Sequence, residues 1–457
     1  MTLKTWIRAG LPALLGGAAF ALPALAQTPD AAPAVTETVV AVAETVTSTV
    51  NKGDIAWMMT SSVLVLLMIV PGLALFYGGL VRAKNMLSIL MQVLTICALM
   101  MLIWVVYGYS LAFNGGNAFI GDFGKVFLSG VTADSLSDTF TKGVQIPEYV
   151  FICFQMTFAA ITPALAIGAF AERVKFSAVI LFAVLWVTFV YFPVAHMVWG
   201  SGGYLLDKGA LDFAGGTVVH INAGIAGLVG CIIAGKRIGF GTEQLPPHSL
   251  VLTMVGAGLL WVGWFGFNVG SNLEANAFAG LVMINTFVAT AGAVIGWLVI
   301  EWLVRGKPSM LGGVSGAIAG LVAITPACGA AGPIGAIVLG IVAGIVCFFF
   351  CTTVKNAFGY DDSLDVFGVH GVGGILGAIG TGIVVSPALG GVGVADYSMS
   401  HQVMVQAEGV LITLVWSGVV SAIIFTVLKI VIGLRPAPEV EREGLDINEH
   451  GERAYHS

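Results

Sequence analysis

Long apolar runs recur along the whole chain, and no other feature restricts its folding so severely. They lie at roughly 55–81, 87–113, 149–171, 177–199, 217–235, 249–271, 277–303, 311–331, 333–354, 364–386 and 403–434. A hydrocarbon core about 30 Å thick takes about 20 helical residues, so each of these eleven segments is long enough to cross one. The last is long for a single crossing and is expected to tilt or to project beyond the bilayer. Composition agrees: 58% of the 457 residues are hydrophobic and only 10% are charged, against about a quarter charged in ordinary soluble proteins. Gly is abundant, as expected where helices pack closely in lipid. A formal net charge of −6 leaves no basic surplus, so no nucleic-acid partner is expected. The expected fold is an all-α membrane protein with eleven transmembrane helices.

The first segment is set apart from this fold. Lys4 and Arg8 precede an apolar stretch ending in Ala24-Leu25-Ala26. A positive start, an apolar middle and an A-x-A site read as a secretory signal peptide over residues 1–26, cleaved in the mature protein. Residues 27–53 then form an extracytoplasmic lead-in, 54–434 the transmembrane domain and 435–457 a cytoplasmic tail. With the N-terminus outside, eleven crossings place the C-terminus inside. Basic residues follow that alternation. Inside loops would hold Arg82, Lys84, Arg173, Lys175, Lys236, Arg237, Arg305, Lys307 and Lys355, and the last helix and tail add Lys429, Arg435, Arg442 and Arg453. Outside segments would hold only Lys52, Lys125, Lys142 and Lys208. The bias is that of the positive-inside rule.

Two histidines lie deep within predicted spans, His220 and His370. Each begins the same string, V-H-x-x-x-G-I-x-G, at Val219–Gly227 and at Val369–Gly377. The strings sit five helices apart, so they cross in opposite senses. An inverted repeat of two five-helix halves gives this pattern, with the eleventh helix added, and places a site between the halves near the midplane. A chance match of Gly-rich strings is the plainer alternative. An ionisable group in a membrane span is costly and points to function. A neutral imidazole offers one donor and one acceptor, so two stacked rings can hand on a hydrogen bond or a proton. A satisfied pair bridging two helices is the other reading. No H-x-x-x-H, H-E-x-x-H or cysteine cluster accompanies them, so no metal and no cofactor is expected. The six cysteines all lie in or near apolar runs and form no C-x-x-C pair, which reads as small buried hydrophobes.

Other candidates carry plainer readings beside the functional one. Phe158 follows Gln155-Met156-Thr157, and Phe267 ends Trp264-Phe265-Gly266-Phe267 before Asn268; aromatic residues at such spacing are usually core. Trp199 and Ser271 fall at predicted outer helix ends. Trp is often just an interfacial anchor, though its face also attracts cations. Asp212 precedes the fifth helix and suits its cap. Asp361, Asp362 and Asp365 stand at the start of the tenth, where carboxylates suit the helix dipole.

At these residues the sequence resembles the ammonium transporter (Amt/Mep/Rh) family, over about residues 52–457. The carriers are PGLALFYGGLVRAKN at 71–85, FAAITPALAIGAFAERVKF at 158–176, AHMVWG at 195–200 and LDFAGGTVVHINAGIAGLVG at 211–230. WFGFNVGS at 264–271, DVFGVHGVGGILG at 365–377 and EREGLDINEHGERAY at 441–455 complete them. The tail and the Trp199 block are closest to the bacterial branch. The resemblance implies a homotrimer in the cytoplasmic (inner) membrane, with one pore per subunit, serving nitrogen utilisation. It implies recruitment of ammonium at Trp199, Phe158 and Ser271, with Asp212 tied to recruitment and deprotonation. Phe158 and Phe267 would gate the pore, and His220, His370 and Trp264 would line it. The tail would couple the three pores and dock a cytoplasmic PII signal-transduction protein; a solvated tail is the plainer reading. The 114–146 loop matches less well, and nothing functional is carried over to it.

Magnitudes favour ammonia over ammonium as the species that crosses the dry part of such a path. A bare cation pays several kcal/mol or more to leave water, and a cation–π contact returns only about 0.5–2 kcal/mol. Deprotonating an amine-type acid of pKa about 9–10 costs roughly 3–4 kcal/mol at pH 7. Rival readings are an ammonium sensor with little flux, a related gas channel for carbon dioxide, and a membrane enzyme using the two histidines. No nucleophile or metal cluster supports the last, and no enzyme is expected.

Overall fold

The computed structural model describes residues 49–455. The signal peptide expected at 1–26, nearly all of the 27–53 lead-in, and His456 lie outside the described residues. Ten helices among them are long and apolar enough to cross a membrane. With one shorter helix they run α1 (Lys52–Leu80), α2 (Ala83–Phe113), α3 (Glu148–Phe170), α4 (Phe176–Asp207), α5 (Gly216–Ala234), α6 (Leu250–Gly270), α7 (Ala277–Arg305), α8 (Met310–Ile324), α9 (Pro333–Phe358), α10 (Phe367–Val384) and α11 (Met399–Val431). A short α12 (Pro438–Glu443) follows. The segment expected to cross at 311–331 differs from expectation. Its helix, α8, has 15 residues, about 22 Å at 1.5 Å per residue. Pro326, Gly329 and Gly332 break it, and the chain turns back while still buried. Its freed carbonyls are met from α7: the Asn285 amide donates to Cys328 O at 2.9 Å and to Ala331 O at 2.7 Å. Irregular backbone at membrane depth needs such partners.

Side chains start the helices where the sequence offers them. Asn51, Ser249, Asn276 and Ser309 accept from the first-turn amides of α1, α6, α7 and α8, which would otherwise be orphaned. The outer surface is apolar at mid-height. Along α11, Leu411, Val415, Val419, Ile423, Val427 and Ile430 are all exposed on one face. An apolar stripe of that length suits lipid and not water.

The bundle has two ends. At the Trp199 end, β1 (Thr49–Val50), β2 (Leu136–Asp138) and β3 (Val144–Pro147) form a small sheet of order β1-β3-β2. β3 pairs parallel with β1 and antiparallel with β2, tying the α2–α3 loop to the start of α1. At the Glu172 end, buried carboxylates and half-buried guanidinium groups join four loops. Glu172, in left-handed backbone at φ 74°, bridges Arg82 at 3.0 Å and Arg237 at 2.9 Å, and Arg237 reaches Asp361 at 2.7 Å. Burial alone would raise the Glu172 carboxyl, but the two guanidinium groups outweigh it and hold it below the ordinary range. Arg173, one of the loop cations, is wholly buried and donates to Gly235 O, Asp361 O and Ser363 Oγ.

The tail packs on this end. Asp446 accepts from Leu87 N and Ser88 N in the first turns of α2, at 3.0 and 2.8 Å. Glu449 accepts from Phe176 N at the start of α4, and Glu441 pairs with Arg435 and accepts from Ile238 N. All six cysteines are free.

Candidate functional site

α5 and α10 cross in the middle of the bundle, and glycines let them touch. A Cβ on Gly224 would lie 2.3 Å from Gly371 N, and one on Gly374 would lie 2.9 Å from the Ile221 side chain. These are the paired glycines of the V-H-x-x-x-G echo. The next pair faces outward from the crossing in matching fashion: Gly227 abuts Ala169 at the end of α3, and Gly377 abuts Ala323 at the end of α8. Both histidines stand in widened, π-helical turns, Gly216–Ile221 and Phe367–Gly371. Such turns recur at functional sites because they re-aim side chains that a regular helix would stack.

The crossing brings His220 and His370 face to face. Their ring centroids are 5.4 Å apart with 23° between planes, and the Nδ1 atoms are 3.3 Å apart. Both rings are buried. Two neutral imidazoles make that contact only if one Nδ1 donates and the other accepts, which leaves one Nε2 bare and one protonated. His220 Nε2 is buried without a partner. The Trp264 ring stacks on His220 at 5.4 Å. Its indole N–H is turned away, donating to Thr325 Oγ1 at 2.9 Å. Two of the other described histidines have their ring nitrogens engaged elsewhere. His196 touches the carbonyls of Ala112 and Asn117, and His248 touches Val81 O and the Tyr455 hydroxyl.

Aromatic rings lead from the pair to the Trp199 end. Phe267 lies 6.0 Å from His220, and Phe158 stacks on Phe267 at 4.1 Å and 19°. Both phenyl rings are buried, so the stack closes the approach to the histidines. Phe158 then meets Trp199 edge-on at 5.8 Å. Beyond lies a cavity of about 230 Å³, lined among others by Trp199, Ser271, Gln155, Asp138, Phe140 and Phe213. The Ser271 hydroxyl donates to Phe267 O at 2.8 Å, which leaves its lone pairs free to accept.

Asp212 is engaged throughout. Its Oδ1 accepts from Gly215 N and Gly216 N at 2.8 and 2.6 Å, and its Oδ2 from Thr217 N at 2.8 Å, Val218 N at 3.3 Å and the Thr217 hydroxyl. It caps α5, the helix that carries His220. It reaches Trp199 by its main chain, as the indole N–H donates to Asp212 O at 2.9 Å. Gln406 of α11 braces the loop, with Leu211 N donating to its Oε1 and its amide donating to Leu211 O, both at 2.7 Å. Asp362 stands eight residues before His370 as Asp212 does before His220. It accepts from Val366 N and Phe367 N at 3.1 and 2.8 Å. Burial first, and Asp365 beside it, push the Asp362 carboxyl up from its ordinary value.

The tertiary structure thus joins Trp199, Phe158, Ser271, Phe267, Trp264, His220 and His370 in one column, with Asp212 behind it. Sequence reasoning missed Thr325, Gln155, Asp138 and Gln406. For Gln155 a signal existed, since it precedes Phe158 by three residues and shares its helical face. For the others none did, because Asp138 and Thr325 come from connecting segments and Gln406 from a helix far away in sequence. Among the described residues no group of three or more His, Cys, Asp or Glu suits a metal.

The family model described as Ammonium Transporter Family matches residues 56–455. An ammonium transporter of Aquifex aeolicus is 49% identical over 411 residues, covering 89% of this chain and 94% of that protein. An ammonium transporter of Bacillus subtilis is 47% identical over 408 residues, covering 88% and 98%. Among solved structures, Candida albicans Mep2 superposes with a TM-score of 0.77 at 34% identity, covering 85% of this chain and 87% of that one. A structure titled Sensor Amt Protein gives 0.80 at 29% identity, covering 87% and 98%.

Proposed function

The chain belongs to the ammonium transporter family, and from that premise we propose how its column of residues moves ammonium across a membrane. Ammonium enters the cavity at the Trp199 end. It is held there by the faces of Trp199 and Phe158 and by the Ser271 hydroxyl. It gives up its proton at the Phe158–Phe267 stack to a bare imidazole nitrogen of the histidine pair, and ammonia passes along His220 and His370 to be protonated again at the far side. Asp212 serves this path by position. It caps α5 beneath His220 and anchors the indole of Trp199, and its carboxylate oxygens are already occupied.

The observation that carries the reading is the pair of imidazoles, Nδ1 to Nδ1 at 3.3 Å, behind a closed phenyl stack. Beyond that stack a bare cation would lose its water, at several kcal/mol or more. Loss of a proton costs roughly 3–4 kcal/mol at pH 7, so deprotonation is the cheaper route. Potassium has no proton to lose and is excluded on the same ground. The imidazole pair supplies one donor and one acceptor to a relay, so the proton can follow the ammonia and make transport electrogenic.

We read the chain as crossing the inner membrane eleven times, with α8 completed by the buried turn after it, the Trp199 end outside and the tail on the cytoplasmic side. On this reading 1–26 is a cleaved signal peptide, 54–434 is the transmembrane domain, and 435–457 is a regulatory tail. The protein is a homotrimer whose tail couples the pores and meets a PII protein. The tail's contacts with the starts of α2 and α4 support such coupling, since a shift of the tail pulls on helix ends.

Ammonium-evoked current in proteoliposomes on a solid-supported membrane tests the reading, with potassium and methylammonium alongside. Current with ammonium and none with potassium is expected. His220→Ala/His370→Ala with undiminished current would sink the relay. A wild-type chain that binds ammonium yet carries no flux would instead favour a sensor.

A further inference from the structure

Little that is directional holds the His220 ring. Its Nδ1 meets His370 Nδ1 at 3.3 Å, a long contact, and its Nε2 has no hydrogen-bond partner among the described residues. The outer torsion of an imidazole side chain is soft, so one long hydrogen bond does not fix the ring plane. Flat neighbours do. The imidazole stacks on the His370 ring, 23° from its own plane, and on the Trp264 indole, 21° from it, each centroid 5.4 Å away. The plane of the indole therefore sets the plane of the imidazole.

What sets the indole is Thr325. The Trp264 N–H donates to Thr325 Oγ1 at 2.9 Å, and both side chains are buried. A hydroxyl has one hydrogen and two lone pairs. The Thr325 hydrogen goes to Leu321 O at 2.7 Å, one turn back in α8, with Asn268 Oδ1 a longer second acceptor at 3.3 Å. A lone pair is left to face the indole. Asn268 is fixed in turn, its amide donating to Thr286 Oγ1 on α7 at 3.2 Å. The break in α8 explains the placement. Thr325 caps that helix just before Pro326, and the segment is wedged against both histidine helices. A Cβ on Gly216 of α5 would lie 2.6 Å from the Pro326 ring, and one on Gly377 of α10 would lie 2.3 Å from Ala323 O. A hydroxyl on this segment is thus fixed relative to α5 and α10, and it ties a ring of α6 to both.

We infer that Thr325 is a positioning residue for His220: its hydroxyl fixes the Trp264 indole, and the indole holds the imidazole in the plane that keeps Nδ1 on His370. It acts through Trp264. Without the hydroxyl a buried indole N–H has no acceptor, which is costly. The indole turns to find another, and the imidazole stacked on it turns as well.

This inference rests on the reading of the chain as an ammonium transporter, so current in proteoliposomes and thermal unfolding of the purified full chain in detergent are both measured. Thr325→Val keeps the shape and removes the hydroxyl, whereas Thr325→Ser keeps the hydroxyl. Maximal ammonium current per folded protein is expected to fall about tenfold for Thr325→Val, which is about 1.4 kcal/mol, at an unchanged half-saturating concentration, and to stay within about twofold of wild type for Thr325→Ser. A Trp264→Phe background has no N–H to anchor. There Thr325→Val is expected to lower neither current nor thermal midpoint further, because residues in direct contact are not additive. A Thr325 that only filled space would cost the same in both backgrounds. Should Thr325→Val fail to elute as a folded species, Thr325→Cys, a weak acceptor, carries the same comparison. Should Trp264→Phe carry no current, the thermal midpoints carry the cycle. Thr325→Ser as impaired as Thr325→Val, or equal losses in the two backgrounds, overturns the inference. Absence of ammonium current through wild-type proteoliposomes would instead overturn the transport reading, while the midpoints still decide the coupling of Thr325 to Trp264.

Discussion

Replacing Asp212 separates two roles that a carboxylate at this position can have. If it accepts the substrate's proton, Asn and Ala should be equally damaging, because neither titrates. If it caps α5, they should differ. The carboxylate takes four backbone amides and the Thr217 hydroxyl. Loss of an N-cap costs about 0.5–2 kcal/mol, and loss of a charge from a partly buried helix N-terminus up to about 2 kcal/mol more. Ala forfeits both, so Asp212→Ala should cost up to about 4 kcal/mol. Asn is itself a favoured cap and keeps one acceptor oxygen, so Asp212→Asn should cost about 1–2 kcal/mol. The Ala variant also frees the 211–215 loop, displacing Trp199 from its carbonyl anchor and tilting the turn that bears His220. Thermal unfolding in detergent should therefore fall by several degrees for Ala and by about half as much for Asn. Ammonium current should persist within a few-fold for Asn and be nearly lost for Ala. Wild-type stability with abolished current in Asp212→Asn would refute this reasoning and assign the carboxylate a chemical role.

Three further outcomes are expected. Phe267→Ala opens the stack above the histidines, so potassium or proton leak should appear in proteoliposomes, together with a loss of about 3–5 kcal/mol if the cavity does not collapse. Gly224→Ala places a methyl 2.3 Å from the Gly371 nitrogen; α5 and α10 must part, and both ammonium current and thermal midpoint should drop while the distant Gly258→Ala, in open space, changes neither. Glu172→Gln leaves Arg82 without its buried partner and should destabilise by about 3 kcal/mol near neutral pH. Its sign with pH follows from the depressed carboxyl: the stabilisation is full above the unfolded value near 4.3 and disappears as pH falls through the lower folded value. An acid melt below about pH 4 should thus be shallower for Glu172→Gln than for wild type, and equal slopes would contradict the assignment.

The column itself was legible because its parts are costly or repeated. A membrane span rarely keeps a histidine without use, so His220 and His370 stood out, and their shared V-H-x-x-x-G string marked equivalent places in two halves. Phe158, Phe267 and Trp199 carried no such cost. They became candidates only through resemblance, since rings at helical spacing read equally well as core. The eighth apolar run reads as a full span because its residues are apolar to 331. The structure ends α8 at Ile324 because Pro326 and the glycines after it cannot continue a helix, and because Asn285, 43 and 46 residues from Cys328 and Ala331, satisfies the carbonyls that the break exposes.

By itself, the sequence determined the medium and the depth of the histidines. Hydropathy acts residue by residue along a helix, so the apolar runs and the buried imidazoles can be counted without knowing their neighbours. Only the tertiary structure decided who meets whom. The 3.3 Å contact of the two Nδ1 atoms depends on glycine-lined approach of α5 to α10 and on two widened turns. The stack of Phe158 on Phe267 joins α3 to α6, and the Asp138 edge of the cavity at the Trp199 end comes from a loop whose sequence has no period to read. Contacts of that kind are set by packing between distant segments, which leaves no local pattern in either one.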